Sequence, residues 1–450
     1  MIIKNVNIIT CDNQKKIIPD ASVVIGADGK IQSILENKYS IDSDLSNQHD
    51  VIDAHTQYLM PASICAHTHF YGAFSRGMYI PGDAPDAFPA ILEKLWWKLD
   101  KSLDEKANYY SALVCIIDAI KHGTTTLIDH HASPNSIHGS LDVLAKAIKE
   151  TGIRASLCYE VTDRDGENKA QQGMEENLRF IEGLKNNPDG HLSALFGLHA
   201  SLTLSDETLK KARKLCPIDT GFHIHAAEHV VDEYDSLRKS GKRVIERLDD
   251  YGLLGEKTIV AHGVHIDAKE IGLLAKSGTW LSHQPRSNMN NAVGLPPVES
   301  MLNAGVRVCL GNDGFSNSMW QEWNAAYLAH KLINYDPRRM PADLIYQMAI
   351  INNRDLINNQ FSNLQTGIIE PGAAADLILV DYKPYTDLNS DNLPWHIVFG
   401  FRESLVTSTI VNGKFIMKDR VLTNIDEESI NNEARDISTY VWKNYHESFK

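Results

Sequence analysis

The chain lacks any uninterrupted run of roughly 18 apolar residues, the minimum for a membrane-crossing helix. Its first residues, MIIKNVNIITCDNQ, are too polar, and their apolar stretch too short, for a secretory leader. Cysteine is sparse: Cys11, Cys65, Cys115, Cys158, Cys216 and Cys309 form no Cys-x-x-Cys pair. Scattered mostly inside apolar runs, they read as reduced, buried thiols and not as a disulfide frame. Positive charge is short as well. Lys and Arg number 44 against 58 Asp and Glu, a formal net charge of −14, which argues against a nucleic-acid partner. Neither a Gly-x-Ser-x-Gly elbow nor a Gly-rich phosphate loop occurs. These absences point to a cytoplasmic, soluble protein with no membrane partner and no serine nucleophile.

What is present is alternation. Residues 1–57 hold brief β-like stretches broken by turns such as Asp28-Gly29, and the style returns in AADLILVDY and LVTSTIVNGKFIMKDRVL, with an Asn412-Gly413 hairpin signal. Between these ends, short β-branched runs recur at Tyr58–His69, Thr124–His131, Arg154–Val161, Leu192–Ala200, Gly221–Glu228, Thr258–His265, Thr279–Pro285 and Val306–Gly314. Helical patterns separate them; in one, Ser102 and Glu105 match a capping box and Gly123 marks the end. Eight strand–helix units predict an α/β fold, a (β/α)8 TIM-type barrel. The expected division is a small β-sandwich domain from both termini (1–57 with 366–423), a barrel over 58–365, and a C-terminal helix over 424–450.

Barrel active sites lie at the C-terminal ends of the strands. Of 19 histidines, His67, His69, His130, His131, His199, His223, His225, His229, His262, His265 and His283 fall in or just after the proposed strands. In a strand, His67 and His69 share one face about 6.6 Å apart along the chain. Strand five, GFHIHAAE, offers His225 or, one layer deeper, His223, with Glu228 over the mouth. Strand six offers His262 and His265, and strand eight ends in Asp313, a charge that is costly there unless paired or metal-bound. Three histidines and one carboxylate leave a coordination position open for water, as in catalytic zinc sites. Glu228 then fits a proton shuttle and His262 a group orienting the attacking hydroxide.

The segments MPASICAHTHF, HGTTTLIDHH, HAAE, VAHGVH, SHQPRSNMNNAVGLPPV and GVRVCLGNDG resemble the amidohydrolase superfamily, in its cytosine-deaminase-like and chlorohydrolase branch. GIIEPGAAADLILVD resembles the strand returning to the small sheet, and HTHFYGAFSRGM with LEKLWWKLDKSLDEK is similar to the SsnA-type aminohydrolases. The resemblance implies that His67, His69, His225 and Asp313 hold one divalent metal, zinc first and iron second. It favours His225 over His223, gives Glu228 the protonation of the ring nitrogen and leaving group, and gives His262 a hydrogen bond to the hydroxide. Members with two metals carry a modified lysine at the end of strand four, where this chain has His199. Gln284 and Asn312 replace the usual Asn and Thr.

The implied reaction is deamination of a purine- or triazine-like N-heterocycle by metal-activated hydroxide. Chlorohydrolysis or opening of a cyclic amide uses the same metal site, and a non-catalytic binding scaffold would require a degraded one. Further substrate contacts are expected from His199, Arg76, Trp96 and Asp100. Of the tryptophan pair Trp96-Trp97, only one should face the site, because neighbours on a helix point about 100° apart. Of His130 and His131, one should line the barrel and the other pack outside. Homo-oligomers are common among similar proteins, so self-association is an expectation of the resemblance.

Overall fold

The computed structural model describes residues 1–36, 50–361 and 363–450; the expected terminal domain therefore includes a stretch, 37–49, outside the described residues. Five strands come first: β1 (Ile2–Ile9), β2 (Ile17–Ile25), β3 (Ile31–Glu36), β4 (Val51–Asp53) and β5 (Tyr58–Pro61). The parallel strands follow: β6 (Ser63–Thr68), β7 (Thr124–Asp129), β8 (Arg154–Leu157), β9 (Leu192–Ala194), β10 (Phe196–Ala200), β11 (Phe222–Ala226), β12 (Ile259–His262), β13 (Trp280–His283) and β14 (Arg307–Leu310). Near the C-terminus lie β15 (Leu377–Val380), β16 (Val406–Val411), β17 (Lys414–Lys418) and β18 (Val421–Leu422).

Both ends share one nine-stranded sheet, ordered β18-β17-β16-β15-β5-β1-β2-β3, with β4 paired to β1. Ile3, Val6, Val23, Ile25, Leu377 and Ile410 join in its buried cluster. The Asn412-Gly413 hairpin forms as expected, with φ of 50° and 71°, the left-handed geometry of a two-residue primed turn. The run Tyr58–His69 divides, however. Tyr58–Pro61 pairs with β1 and β15, whereas Ser63 N donates to Gly123 O at 2.8 Å and starts the parallel set. Pro61 has no N–H with which to continue a ladder, and the chain changes partners there.

The parallel strands form a four-stranded sheet, β6 to β9, and a five-stranded sheet, β10 to β14. Isolated bridges Thr68↔Asp313 and Val161↔Leu198 link them. At both joins a glycine permits close approach: a Cβ on Gly197 would meet Tyr159 O at 2.3 Å, and one on Gly311 would meet His67 N at 2.8 Å. Ile64, Ile128, Cys158, Ile259, Trp280 and Cys309 form one apolar cluster, and the histidines lie further along the same strands.

Two helices refine the expectations. The helix Glu105–Lys121 is capped by Asp104, whose side chain accepts from Ala107 N at 2.8 Å. Ser102 sits in the preceding 3-10 turn and donates to Lys98 O instead, so the expected capping box is not formed. The C-terminal helix, Glu427–Glu447, lies against the segment after β6: Trp442 Nε1 donates to Phe74 O (2.8 Å) and Tyr445 Oη to Lys94 O (2.7 Å).

Arg154 of β8 reaches the terminal sheet. Its Nε and Nη2 donate to Asp376 at 2.7 and 3.1 Å, and Asp376 also accepts from Thr366 Oγ1 and Asn412 N. Removing one partner of such a buried pair strands the other charge. Asp376→Ala is therefore expected to destabilise the fold by about 3–5 kcal/mol, read as a lower denaturant midpoint.

Candidate active site

The structure gathers the candidate histidines and carboxylates at the C-terminal ends of the strands. His67 lies in β6, beside a register shift between Cys65 and Thr68 that re-aims the strand. His225 lies in β11, Glu228 just beyond it, and Asp313 in the loop after β14. Three residues here, Ala227, His262 and Asp313, hold positive φ of 51°, 76° and 58°. Such backbone persists only where packing over-determines it, and it clusters at functional sites.

The hydrogen bonds assign the imidazole tautomers. His69 Nδ1 donates to His130 O (2.6 Å) and His225 Nδ1 to His199 O (2.7 Å), so both Nε2 atoms carry lone pairs. They face each other at 3.2 Å. The Cys158 thiol donates to Asp129 O at 3.5 Å, and its sulfur then accepts from His223 Nδ1 at 3.8 Å. His223 Nε2 is left to accept from His67 Nδ1 at 2.9 Å. The lone pair of His67 consequently sits on its buried Nε2, which has no hydrogen-bond partner. His223 thus lies one layer below His225, holding His67.

Asp313 Oδ1 completes the convergence, 3.0 Å from His69 Nε2 and 3.8 Å from His67 Nε2. Ligand atoms of His67, His69, His225 and Asp313 all lie within 4.8 Å of one another. Three facing lone pairs and a carboxylate repel unless a cation lies among them, and His3Asp suits a divalent metal with an open position. The same demand governs the protons. Burial opposes a charge on His69, yet the Asp313 carboxylate lifts it to about 9, so without a metal a proton on His69 Nε2 takes the cation's place. His67 and His225 are pushed well below the ordinary histidine value by burial and by neighbouring imidazoles.

Glu228 and His262 adjoin this centre. His262 Nε2 is 3.6 Å from Glu228 Oε2 and 3.8 Å from Asp313 Oδ2, while its Nδ1 donates to Asn288 Oδ1 at 2.8 Å. Ser287 Oγ donates to Asp313 Oδ2 at 2.5 Å. Burial, then the Asp313 charge, pushes the Glu228 carboxyl well above its usual value. The two carboxyl groups on either side of this imidazole are thereby pushed in opposite directions, Glu228 toward the acid form and Asp313 toward the carboxylate.

A cavity opens over these groups. His199, Trp96 and Asp100 line it, and so does Trp97, where only one tryptophan was expected. A π-turn at Leu92–Trp96 departs from regular helical spacing beside the cavity. Arg76 is a correction: its guanidinium is largely exposed, lies outside the cavity lining, and stands 3.7 Å from Asp118. Gln284 and Asn312 are fully buried and also absent from the lining. His130 joins the imidazole cluster, and His131 packs against Tyr159 with its Nε2 on Ser133. Sequence reasoning missed Glu160, which lines the cavity between His130 and His199. Its signal was the one used for Asp313, a carboxylate closing an apolar strand. Burial opposes its ionisation, but the neighbouring imidazoles, His130 foremost, hold its carboxyl well below the usual range.

The profile of the Amidohydrolase family matches residues 58–416. The chain belongs to this family. As an amidohydrolase, it is 32% identical over 440 residues to the 5′-deoxyadenosine deaminase of Methanosarcina barkeri, covering 97% of this chain and 96% of that protein. It is 32% identical over 394 residues to the 5-methylthioadenosine/S-adenosylhomocysteine deaminase of Syntrophomonas wolfei, covering 86% and 87%. Its fold matches an adenosine deaminase from Xanthomonas campestris solved with bound zinc (TM-score 0.83, 21% identity, 98% of each chain). It also matches a mutant of the atrazine chlorohydrolase TrzN of Arthrobacter aurescens, solved with zinc and atraton (TM-score 0.82, 20% identity, 97% and 99%). No helix among the described residues of this amidohydrolase is long and apolar enough to cross a membrane.

The convergence generates a direct test. His67→Ala and His225→Ala are each expected to reduce bound metal from near-stoichiometric to substoichiometric, measured by elemental analysis of purified protein. Cys158→Val, which removes the sulfur that fixes His223, should weaken metal affinity about tenfold or more.

Proposed function

We propose that the protein is a metal-dependent aminohydrolase that deaminates a purine- or triazine-like N-heterocycle. In this reading the parallel strands, with β9 and β10 as one interrupted unit, close into a (β/α)8 barrel, and the terminal strands β1–β5 and β15–β18 curl as a sandwich, followed by the C-terminal helix. One observation carries the chemistry: Glu228, its buried carboxyl pushed toward the acid form, stands beside the converging His67, His69, His225 and Asp313. The deaminase names of relatives at 32% identity support this reaction over chlorohydrolysis, for which the likeness concerns fold alone. A non-catalytic scaffold would not keep the acid, the imidazoles and the carboxylate in register.

His67, His69, His225 and Asp313 hold the metal, zinc first and iron second, which when bound acts as a Lewis acid that activates water near neutral pH. His262 orients the attacking water, its Nε2 free to accept a hydrogen bond because Nδ1 is committed to Asn288. Asp313 Oδ2 accepts the water proton as the C–O bond forms at the ring carbon bearing the amine. Glu228 donates its proton to the adjacent ring nitrogen, giving a tetrahedral carbon with hydroxyl and amine. The Glu228 carboxylate then takes the hydroxyl proton and passes it to the amine. The C–N bond breaks with its electron pair leaving on ammonia, and the ring keeps a carbonyl and an N–H. The proton on Asp313 returns to Glu228, restoring both groups. Trp96, Trp97, His199 and Asp100 bound the ring's surroundings. Tyr71 and Phe88 add apolar wall.

Glu228→Gln should lower kcat by about 10²–10⁴ with metal content unchanged, measured as ammonia release from aminopurines and aminotriazines. Because Glu228 donates its proton in this reaction and its pKa is raised, kcat should fall as pH rises through that value. The falling limb should vanish in Glu228→Gln. Absence of ammonia from every ring amine tested would exclude deamination.

A further inference from the structure

Glu160 occupies a position that the reaction above does not use. It follows β8, is 3% exposed and lines the cavity. Its Oε1 stands 3.1 Å from His130 Nδ1 and 3.3 Å from His69 Nδ1, yet neither approach is a hydrogen bond. His69 Nδ1 is already committed to His130 O, and Oε1 has no partner. Oε2 stands 3.7 Å from His199 Nε2.

The tautomer of His199 decides what this pair can bind. Thr203 Oγ1 donates its hydrogen to Ala200 O at 3.1 Å, so it accepts from His199 Nδ1 at 2.7 Å. His199 Nε2 is therefore a lone-pair acceptor. Two acceptors, a carboxylate oxygen and an imidazole nitrogen, adjoin one another on the cavity wall, where the Trp97 Nε1–H is a buried donor without a partner but no cation stands between them. No lysine or arginine lines the cavity to supply one. Arg164, the nearby cation, is bound to Asp100 through Nη2 and stacked 5.4 Å from the Trp97 ring, and it lies outside the cavity lining.

We propose that Glu160 and His199 form a donor-reading subsite, which takes the part of the substrate that presents two polar hydrogens. The proposal rests on the aminohydrolase reading of the neighbouring metal centre and extends it to substrate class. The hydrogens come either from an amino group with a ring N–H or from a vicinal pair of hydroxyls. A carbonyl, carboxylate or phosphate at this point meets two lone pairs and is rejected, because an unpaired buried polar group keeps its full desolvation cost. Glu160 is the specificity determinant of the pair, since hydrogen bonds to a charged acceptor are the stronger ones.

The test uses zinc-loaded Glu228→Gln protein, which binds without turnover, and calorimetry with two ligand pairs. One pair is adenosine against 2′,3′-dideoxyadenosine; the other is 2,6-diaminopurine against adenine. The donor-rich member of at least one pair should bind about tenfold to a hundredfold tighter, and the pair that responds identifies the source of the hydrogens. Adding Glu160→Leu should abolish that preference with zinc content retained. Glu160→Gln, which keeps the size and one acceptor, should weaken the preference without abolishing it, and it decides the matter if the leucine variant loses zinc. No preference in either pair, or a preference unchanged by both Glu160 substitutions, would overturn the subsite. Failure of deamination itself is read separately, as no ammonia from the enzyme with Glu228 intact, and leaves the binding comparison valid.

Discussion

The constraint on which the rest of the site depends is the mutual repulsion of three imidazole lone pairs. His67, His69 and His225 each commit Nδ1 to a protein acceptor and turn Nε2 toward Asp313. The acceptors are themselves structural: two are strand-end carbonyls, and the third is His223, oriented through Cys158. A change in strand register at any of these points would rotate a lone pair away. The close approaches at Gly197 and Gly311, where the two parallel sheets meet, therefore serve the chemistry as well as the packing.

Around this centre the protein sorts its carboxylates by environment. Asp313 is held ionised against burial by His69, while Glu228 is kept neutral by burial and by Asp313 itself. Two carboxyl groups flanking one imidazole thus take opposite proton states, which is what acid and base roles need. Asp100 is raised to about 6 because its burial outweighs the Arg164 pairing. The wall carrying Trp96, Trp97 and Asp100 is braced from outside by the C-terminal helix, through Trp442 and Tyr445. A helix remote in sequence thereby fixes the shape of the cavity.

Much of this was legible in the residues. Alternating runs ending in His or Asp located the strand ends, and the Asn412-Gly413 turn located the hairpin, because these features are local and periodic. The boundary between the terminal sheet and the parallel strands was not legible, since Tyr58–His69 is one unbroken apolar run and only pairing partners divide it. Arg76 misled for a related reason. Position after a strand places a residue near the barrel mouth, but its side chain can turn outward to Asp118. Glu160 was passed over although its pattern matched Asp313; its importance lies in its neighbours His130 and His199, which come from other strands.

The sequence by itself determined the strand–helix alternation, the family likeness and the kinds of side chain available at the strand ends. These follow from propensity, periodicity and spacing, which act between near neighbours. Only the tertiary structure decided which nitrogen of each imidazole carries the lone pair, which carboxyl stays neutral and which acceptors are left without donors. Those properties depend on distances between strands far apart in the chain, and on the exclusion of water that makes each unpaired atom costly.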